Sequence, residues 1–268
     1  MRKIGILFAL VLFTFMGCSK DDDGGTPNSP AQQVVDRSAN LLSAGDSAND
    51  ILSNDSFTSL RIEIAYVAGF RPTQTAINAF DQYLRDHTFK TDIAITFTEL
   101  SSPNEETLTL QEIADLEAEN RTVYNDGETL GIYIYFTDAP SETDDEDEGL
   151  VTLGAVYRNT SMVIYESTIQ RLTERSVLIT VADVEEATLN HEFGHLFGLV
   201  NLGSPAVNDH EDPEAENHCN VPGCLMRAEL QFGAGIMGMM ESRASRGMAF
   251  IPELDAECVL DLQANGGR

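Results

Sequence analysis

The chain has 268 residues, of which 44 are acidic and 16 basic, and its formal net charge is −28 at pH 7. This length is sufficient for one large domain or two small ones with a well-buried core. A surplus of negative charge this large repels nucleic acid and anionic lipid, which argues strongly against both as binding partners. We expect most of the charge to lie on solvated surface.

The N-terminal segment is typical of a secretory signal. Two basic residues precede an apolar stretch over residues 4–15, and Gly17-Cys18 follows it. The apolar stretch is shorter than the roughly 20 residues of a transmembrane helix. The Gly-Cys pair resembles the cleavage site of bacterial lipoproteins. That resemblance implies a signal peptide over residues 1–18 and a lipid on Cys18. It also implies a flexible acidic tether over 19–33, and an exported protein anchored in the cell envelope, at the outer membrane or cell surface.

Hydrophobic periodicity predicts alternating strands and helices in the rest of the chain. The predicted elements, in order, are one or two short helices over residues 31–54, a strand over 60–66, a helix over 71–87, a strand over 92–100, a helix over 108–121, a strand over 130–138, two short strands around 151–157 and 162–165, and a long helix over 175–199. This order predicts an α/β (α+β) fold, in which a mixed twisted sheet packs on helices.

The long helix is predicted to bury one apolar side, made by Val177, Leu178, Val181, Val184, Leu189, Phe193, Leu196 and Phe197. After this helix we expect a loop-rich C-terminal part. The Gly- and Met-rich run over residues 232–240 is predicted to be a flexible loop within it. The acidic run over residues 141–149 is predicted to be an ordinary solvated loop, with a calcium site as the weaker alternative.

The second half of the long helix contains HEFGHLFG, residues 191–198. Residues four apart are neighbours on a helix, so His191 and His195 can bind one metal ion while Glu192 reaches the water beside it. Zinc in hydrolytic sites takes three protein ligands and leaves one position for water. The motif therefore predicts one catalytic zinc ion with Glu192 as general base. The third ligand must come from downstream.

The same eight residues resemble the H-E-x-x-H-x-x-G core of the metzincin clan of zinc metallopeptidases. In that clan a glycine ends the helix and lets the chain turn toward the third ligand, a role that suits Gly198. The third ligand usually follows three residues after the glycine. This chain has Asn201 there, and an amide oxygen is a poor zinc ligand beside imidazole.

Two later histidines are candidates for the third ligand. His218 begins HCNVPGCLM, which resembles the H-C-x4-C-x-M segment of the archaemetzincin-type branch and implies His218 as ligand and Met226 as the Met-turn residue. His210 is the alternative, because the acidic Glu211 and Asp212 that follow it could orient its imidazole. A loop longer than the family's can close at modest entropic cost.

The archaemetzincin-type pattern continues to a C-x-x-C pair that completes a structural zinc site, and this chain lacks that pair. Beyond Cys219 and Cys224, only Cys258 lies downstream. In an exported protein we therefore expect a disulfide, either Cys219 to Cys224 or one of these to Cys258, with the pairing left open.

The resemblance implies a zincin-like metalloprotease domain over residues 34–268, divided at residue 198 into an N-terminal subdomain with the active-site helix and a C-terminal subdomain. It implies an endopeptidase that acts on proteins or peptides and binds them along an edge strand, for which residues 154–165 are the candidate. The alternative hypothesis is a catalytically weak surface lipoprotein that binds peptide or glycan.

Overall fold

A computed structural model of the protein describes residues 36–145, 150–231 and 233–268. The predicted signal peptide, Cys18 and the tether lie outside these ranges. Among the described residues, no helix combines the length and the apolar character needed to cross a membrane.

A five-stranded mixed sheet organises the fold. Its strands are β1 (Ser59–Val67), β2 (Asp92–Leu100), β3 (Thr129–Phe136), β4 (Gly154–Arg158) and β5 (Ser161–Ile164). They lie in the order β2-β1-β3-β5-β4. Strands β2, β1, β3 and β5 are parallel to one another. Strand β4 pairs antiparallel with β5 at one end of the sheet. The predicted mixed α/β architecture is therefore confirmed.

Seven α-helices and a two-stranded hairpin complete the described elements. The helices are α1 (Ala48–Leu52), α2 (Gln74–His87), α3 (Leu110–Asn120), α4 (Glu166–Thr173), α5 (Val181–Leu196), α6 (Gly233–Ser245) and α7 (Ala256–Ala264). The hairpin consists of β6 (Glu211–Asp212) and β7 (Ala215–Cys219), and short 3-10 helices span Ser38–Asn40 and Ala228–Leu230.

Alternation along the strands divides the core between the two faces of the sheet. In β3, Ile132 and Ile134 point toward the large cluster that contains residues of α2 and α5. Tyr133 and Tyr135 point the other way, into a smaller cluster with residues of α3. Helix α5 therefore lies on the face of the sheet where the larger core is buried.

The predicted long helix over residues 175–199 is wrong in its first part. The chain forms α4, leaves the helix after Thr173 and begins α5 at Val181. Val177 is fully exposed and Leu178 is 59% exposed, so neither lines the buried side. A capping box between Thr180 and Asp183 starts the new helix, because it satisfies amide groups that a helix start leaves unpaired. The predicted inward residues from Val184 onward are buried.

The Gly- and Met-rich run over residues 232–240 was predicted to be a loop, which is wrong over most of its length. Its residues from Gly233 onward lie in α6. Glycine disfavours helix, but Ile236 and Met240 are fully buried in the core, and such packing overrides local propensity. With α6 and α7, the C-terminal part contains more helix than predicted.

Candidate metal centre

Helix α5 places the HEFGHLFG motif deep in the protein. The ring of Phe193 packs edge-on against Phe80 of α2, with centroids 5.1 Å apart, and so anchors the helix. Gly198 follows the helix with φ of +72°, the left-handed conformation that favours glycine. A Cβ atom there would lie 2.8 Å from the Cβ of Ala48. The predicted helix end at Gly198 is therefore confirmed.

Three imidazoles converge beside the last turn of α5. His191 and His195 come from the helix and His218 from β7, and all three are buried. Their ring centroids are 4.9 Å apart for His191 and His195, 5.4 Å for His191 and His218, and 5.0 Å for His195 and His218. One ring nitrogen from each lies within 4.8 Å of the others, a spacing at which the three could hold a metal ion.

Backbone carbonyls orient two of these rings. The Nδ1 of His191 lies 2.8 Å from the carbonyl oxygen of Leu225, and the Nδ1 of His218 lies 2.8 Å from that of Glu216. A ring that donates through Nδ1 has a lone pair on Nε2, which is the arrangement found in metal-binding histidines. The Nε2 atoms of both rings are buried without a hydrogen-bond partner, as is the Nδ1 of His195. Such unpaired polar atoms fit a site that takes up a cation.

Burial keeps the three imidazoles neutral. It lowers the pKa of His191 to about 3, to which the neighbouring His218 contributes. Burial also lowers the pKa of His195 and that of His218 below the usual value. Neutral imidazole is the form that binds metal, so the cluster is ready to bind a metal without first losing protons.

Glu192 follows His191 in α5, and its side chain lies against the edge strand β4. It is buried, and burial raises the pKa of its carboxyl to about 8. A Cβ atom on Gly154 would lie 2.7 Å from the Cγ of Glu192 and 2.9 Å from its Oε1. The strand therefore passes directly over this carboxyl group. A cation nearby would favour its charged form.

Met226 packs against the helix between the two motif histidines. A Cβ atom on Gly194 would lie 2.2 Å from the Sδ of Met226, so only glycine allows this contact. The carbonyl oxygen of Met226 accepts a hydrogen bond of 2.7 Å from the backbone N–H of Cys219. This bond ties the segment below the helix to β7, next to His218.

Comparison with protein-family models and with curated proteins gives no match. Among solved structures, the chain is similar to the crystal structure of archaemetzincin from Methanopyrus kandleri. The identity is 14% and the TM-score 0.48, over 78% of this chain and 96% of that one. Function therefore has to be argued from the residues of this chain.

His210, the alternative third ligand, lies outside the three-imidazole cluster. Its Nε2 lies 2.9 Å from the Oδ2 of Asp261, and its Nδ1 lies 3.4 Å from the Sγ of Cys219. Asn201 shapes the loop instead: its side chain donates to Glu211 at 2.6 Å and accepts from the N–H of Ala206 at 2.8 Å. The structure thus brings His218 to the motif and leaves His210 elsewhere.

The three described cysteines form a second buried cluster. All are free thiols. The Sγ atoms of Cys224 and Cys258 are 3.5 Å apart, whereas a disulfide bond measures about 2.05 Å. The expected disulfide is therefore absent from the structure. His210, Cys219, Asp255 and Cys258 instead form a group that could hold a metal ion.

Sequence reasoning missed this second group because its members are far apart in the chain. The available signal was the odd number of cysteines after Cys18, three in all, together with a histidine at position 210 just ahead of them. For the acidic run over residues 141–149, the structure leaves residues 146–149 undescribed, and calcium binding there stays a prediction.

Proposed function

We propose that this protein is a zinc-dependent metalloendopeptidase in which His191, His195 and His218 bind the zinc ion and Glu192 is the general base. One observation carries the proposal: three buried imidazoles with unpaired nitrogens lie within reach of one ion, and Glu192, the residue after His191, has a buried carboxyl group without a hydrogen-bond partner. Three imidazoles are a ligand set that zinc accepts in catalytic sites, with a position left for water.

Bound zinc supplies Lewis-acid chemistry, which polarises a carbonyl and makes water acidic near neutral pH. Glu192 then takes the proton from the attacking water and passes it to the leaving amine. The buried surroundings of Glu192 exclude bulk water from this transfer. The bonds of His191 and His218 to backbone carbonyls keep the rings in place while the proton moves.

Strand β4 is the candidate binding surface for an extended substrate. It is the end strand of the sheet and passes over Glu192 at Gly154. An extended peptide that pairs with such an edge brings its scissile bond toward the base. On the other face of β4, a cavity of about 590 Å³, lined in part by Thr152, Ala155 and Tyr165, provides room for a substrate side chain.

The test is Glu192→Gln in the full-length chain. We expect this variant to retain zinc and to lose cleavage of an unfolded protein substrate, because the amide cannot accept the proton. Glu174→Gln, which changes an exposed carboxylate at the end of α4, is the matched control and should cleave normally. Full cleavage by Glu192→Gln would overturn the mechanism.

If the wild-type chain held zinc but cleaved no member of a broad peptide library, the alternative of a binding module for peptide or glycan would replace the proposal.

We also propose that the protein is exported and anchored by lipid on Cys18. Support comes from the sequence of the first 18 residues alone. Mass spectrometry of the protein from a bacterial membrane fraction should find a lipidated Cys18 as first residue, and Cys18→Ala should remain unprocessed. A wild-type chain that keeps its first residues would contradict this.

A further inference from the structure

We propose that His210, Cys219, Cys224 and Cys258 bind a second, structural zinc ion that fixes the hairpin bearing His218 to the C-terminal helix α7. The proposal does not require the protein to be a peptidase, because it rests on a different group of side chains.

Three distances within this group are close to those of a tetrahedral zinc site. With Zn–S bonds of about 2.3 Å and Zn–N bonds of about 2.0–2.1 Å, two ligand sulfurs are about 3.8 Å apart, and a nitrogen and a sulfur about 3.6 Å apart. The Cys224 and Cys258 sulfurs are 3.5 Å apart. The Nδ1 of His210 is 3.4 Å from the Cys219 sulfur and 4.0 Å from the Cys258 sulfur. All four residues are buried.

Asp261 holds the imidazole of His210 in the orientation that a ligand needs. Its Oδ2 lies 2.9 Å from the Nε2 of His210, so Nδ1 is left to face the sulfurs. The carboxylate is itself fixed, because it accepts hydrogen bonds from the backbone N–H groups of Val207 at 2.7 Å and Val200 at 3.3 Å. A carboxylate behind a ligating histidine raises its basicity and sets its tautomer.

We assign Cys224, rather than Asp255, as the fourth ligand. Both carboxylate oxygens of Asp255 already have partners: Oδ1 caps α7 by accepting from the N–H groups of Glu257 and Cys258, and Oδ2 accepts from the thiol of Cys219 at 2.9 Å. The sulfurs of Cys219 and Cys224 accept backbone N–H bonds of 3.3 Å from Val221 and Met226, respectively. Such donors stabilise the negative charge of a thiolate. Closed structural zinc sites use thiolate and imidazole ligands in this Cys3His combination.

The second site would hold both ends of the hairpin that presents His218. His210 directly precedes β6, and Cys219 ends β7 directly after His218. The N–H of Asn220 donates to the carbonyl oxygen of His210 at 2.8 Å, so the two ends already lie together. Cys224 precedes Met226 by two positions, and Cys258 lies in α7. A metal ion here would therefore close the long loop after Gly198 and set the position of His218.

Zinc content measured by mass spectrometry on the full-length chain tests the proposal. We expect two zinc ions per wild-type chain and one in His210→Ala. His210→Cys should hold two again, because a thiolate can replace the imidazole. His195→Ala should lose the other ion and keep this one, which separates failure of the peptidase proposal from failure of this one. His87→Ala, outside both clusters, is the control and should hold two.

Thiol alkylation of the wild-type chain gives a second measurement that needs no variant. Cys219, Cys224 and Cys258 should resist alkylation until a chelator is added and should then all react.

Two variants identify the fourth ligand: Cys224→Ala should lose the second ion, and Asp255→Asn should keep it. The reverse result would overturn the ligand set. A wild-type chain with one zinc ion and two cysteines oxidised to a disulfide would overturn the site itself.

Discussion

Gly154 is the residue where the edge strand β4 approaches the carboxyl group of Glu192. An added methyl group would lie 2.7 Å from the Cγ of Glu192 and 2.9 Å from the methyl carbon of Thr188. Real side chains essentially never approach so closely, so either the strand or the base must move. The position of the proposed base thus depends on the absence of a side chain on another element.

We expect Gly154→Ala to lower kcat/KM for peptide cleavage about 100-fold, because a shift of about 1 Å in a catalytic group has an effect of this size. Zinc content should stay at the wild-type level, since no ligand is touched. Gly238→Ala, where an added methyl group meets nothing within 4 Å, is the matched control. Unchanged cleavage by Gly154→Ala would show that the base does not depend on the strand.

At the scale of elements, helices α4 and α5 meet through two buried carboxyl groups, Glu166 and Glu185. Burial, together with the charge of Glu185, raises the pKa of Glu166 to about 9. Both carboxylate oxygens of Glu185 accept a hydrogen bond from the N–H of Thr73 at 3.0 Å. Because Glu185 has these donors, we expect it to carry the charge while Glu166 keeps a proton.

This pair makes stability depend on pH with a definite sign. Unfolded, Glu166 has its ordinary pKa of 4.5, whereas in the folded protein the value is about 9. Between these values the folded state binds a proton that the unfolded state releases, so the free energy of unfolding falls as pH rises through the window. The stability that protonated Glu166 contributes is fully present below a pH of 4.5 and is lost above a pH of about 9.

We therefore expect Glu166→Gln to flatten the pH dependence of thermal unfolding, because the amide imitates the protonated acid. Its Tm should exceed that of the wild type near the upper end of this window and approach it near the lower end. Scanning calorimetry across the window measures both. Glu174→Gln, an exposed change on the same segment, should follow the wild type. Parallel curves for Glu166→Gln and the wild type would contradict the assignment of the proton.

At the scale of the whole molecule, the proposed metal ions connect parts of the chain that the backbone keeps apart. The three-imidazole cluster joins α5 to the hairpin, and the cysteine cluster joins the hairpin to α7. A ligand that binds only the folded state stabilises it by about 4 kcal/mol when its free concentration is about 1,000 times its Kd.

We expect excess zinc to shift the unfolding of the chelator-treated chain to higher urea concentration. The shift in the midpoint should correspond to a gain of about 4 kcal/mol or more in the free energy of unfolding. The m-value should stay the same, since the same surface is exposed on unfolding. Magnesium at equal concentration is the control, because it disfavours thiolate and imidazole ligands. A midpoint that is independent of zinc would count against resident metal at either cluster.

Local patterns predicted much of the fold. Strands β1, β2 and β3 and helices α2 and α3 lie where alternation and helical spacing predicted them, because the apolar residues of each recur at the period of its element. The errors occurred where the local signal was weak or misleading. Val177 and Leu178 continue the helical pattern but lie in a connection, and the glycines of α6 concealed a helix that its buried Ile236 and Met240 stabilise.

The sequence by itself determined the spacing of His191, Glu192 and His195 and the helix end at Gly198, because residues a few positions apart on a helix have a fixed geometry. Only the tertiary structure decided which histidine joins them and what surrounds the cysteines. His218 lies on the hairpin and His210 directly precedes it, and the local pattern gives no sign of which cluster either histidine joins. Long-range packing made that choice: β7 runs beside Met226 beneath α5, and Asp261 of α7 draws His210 to the sulfurs.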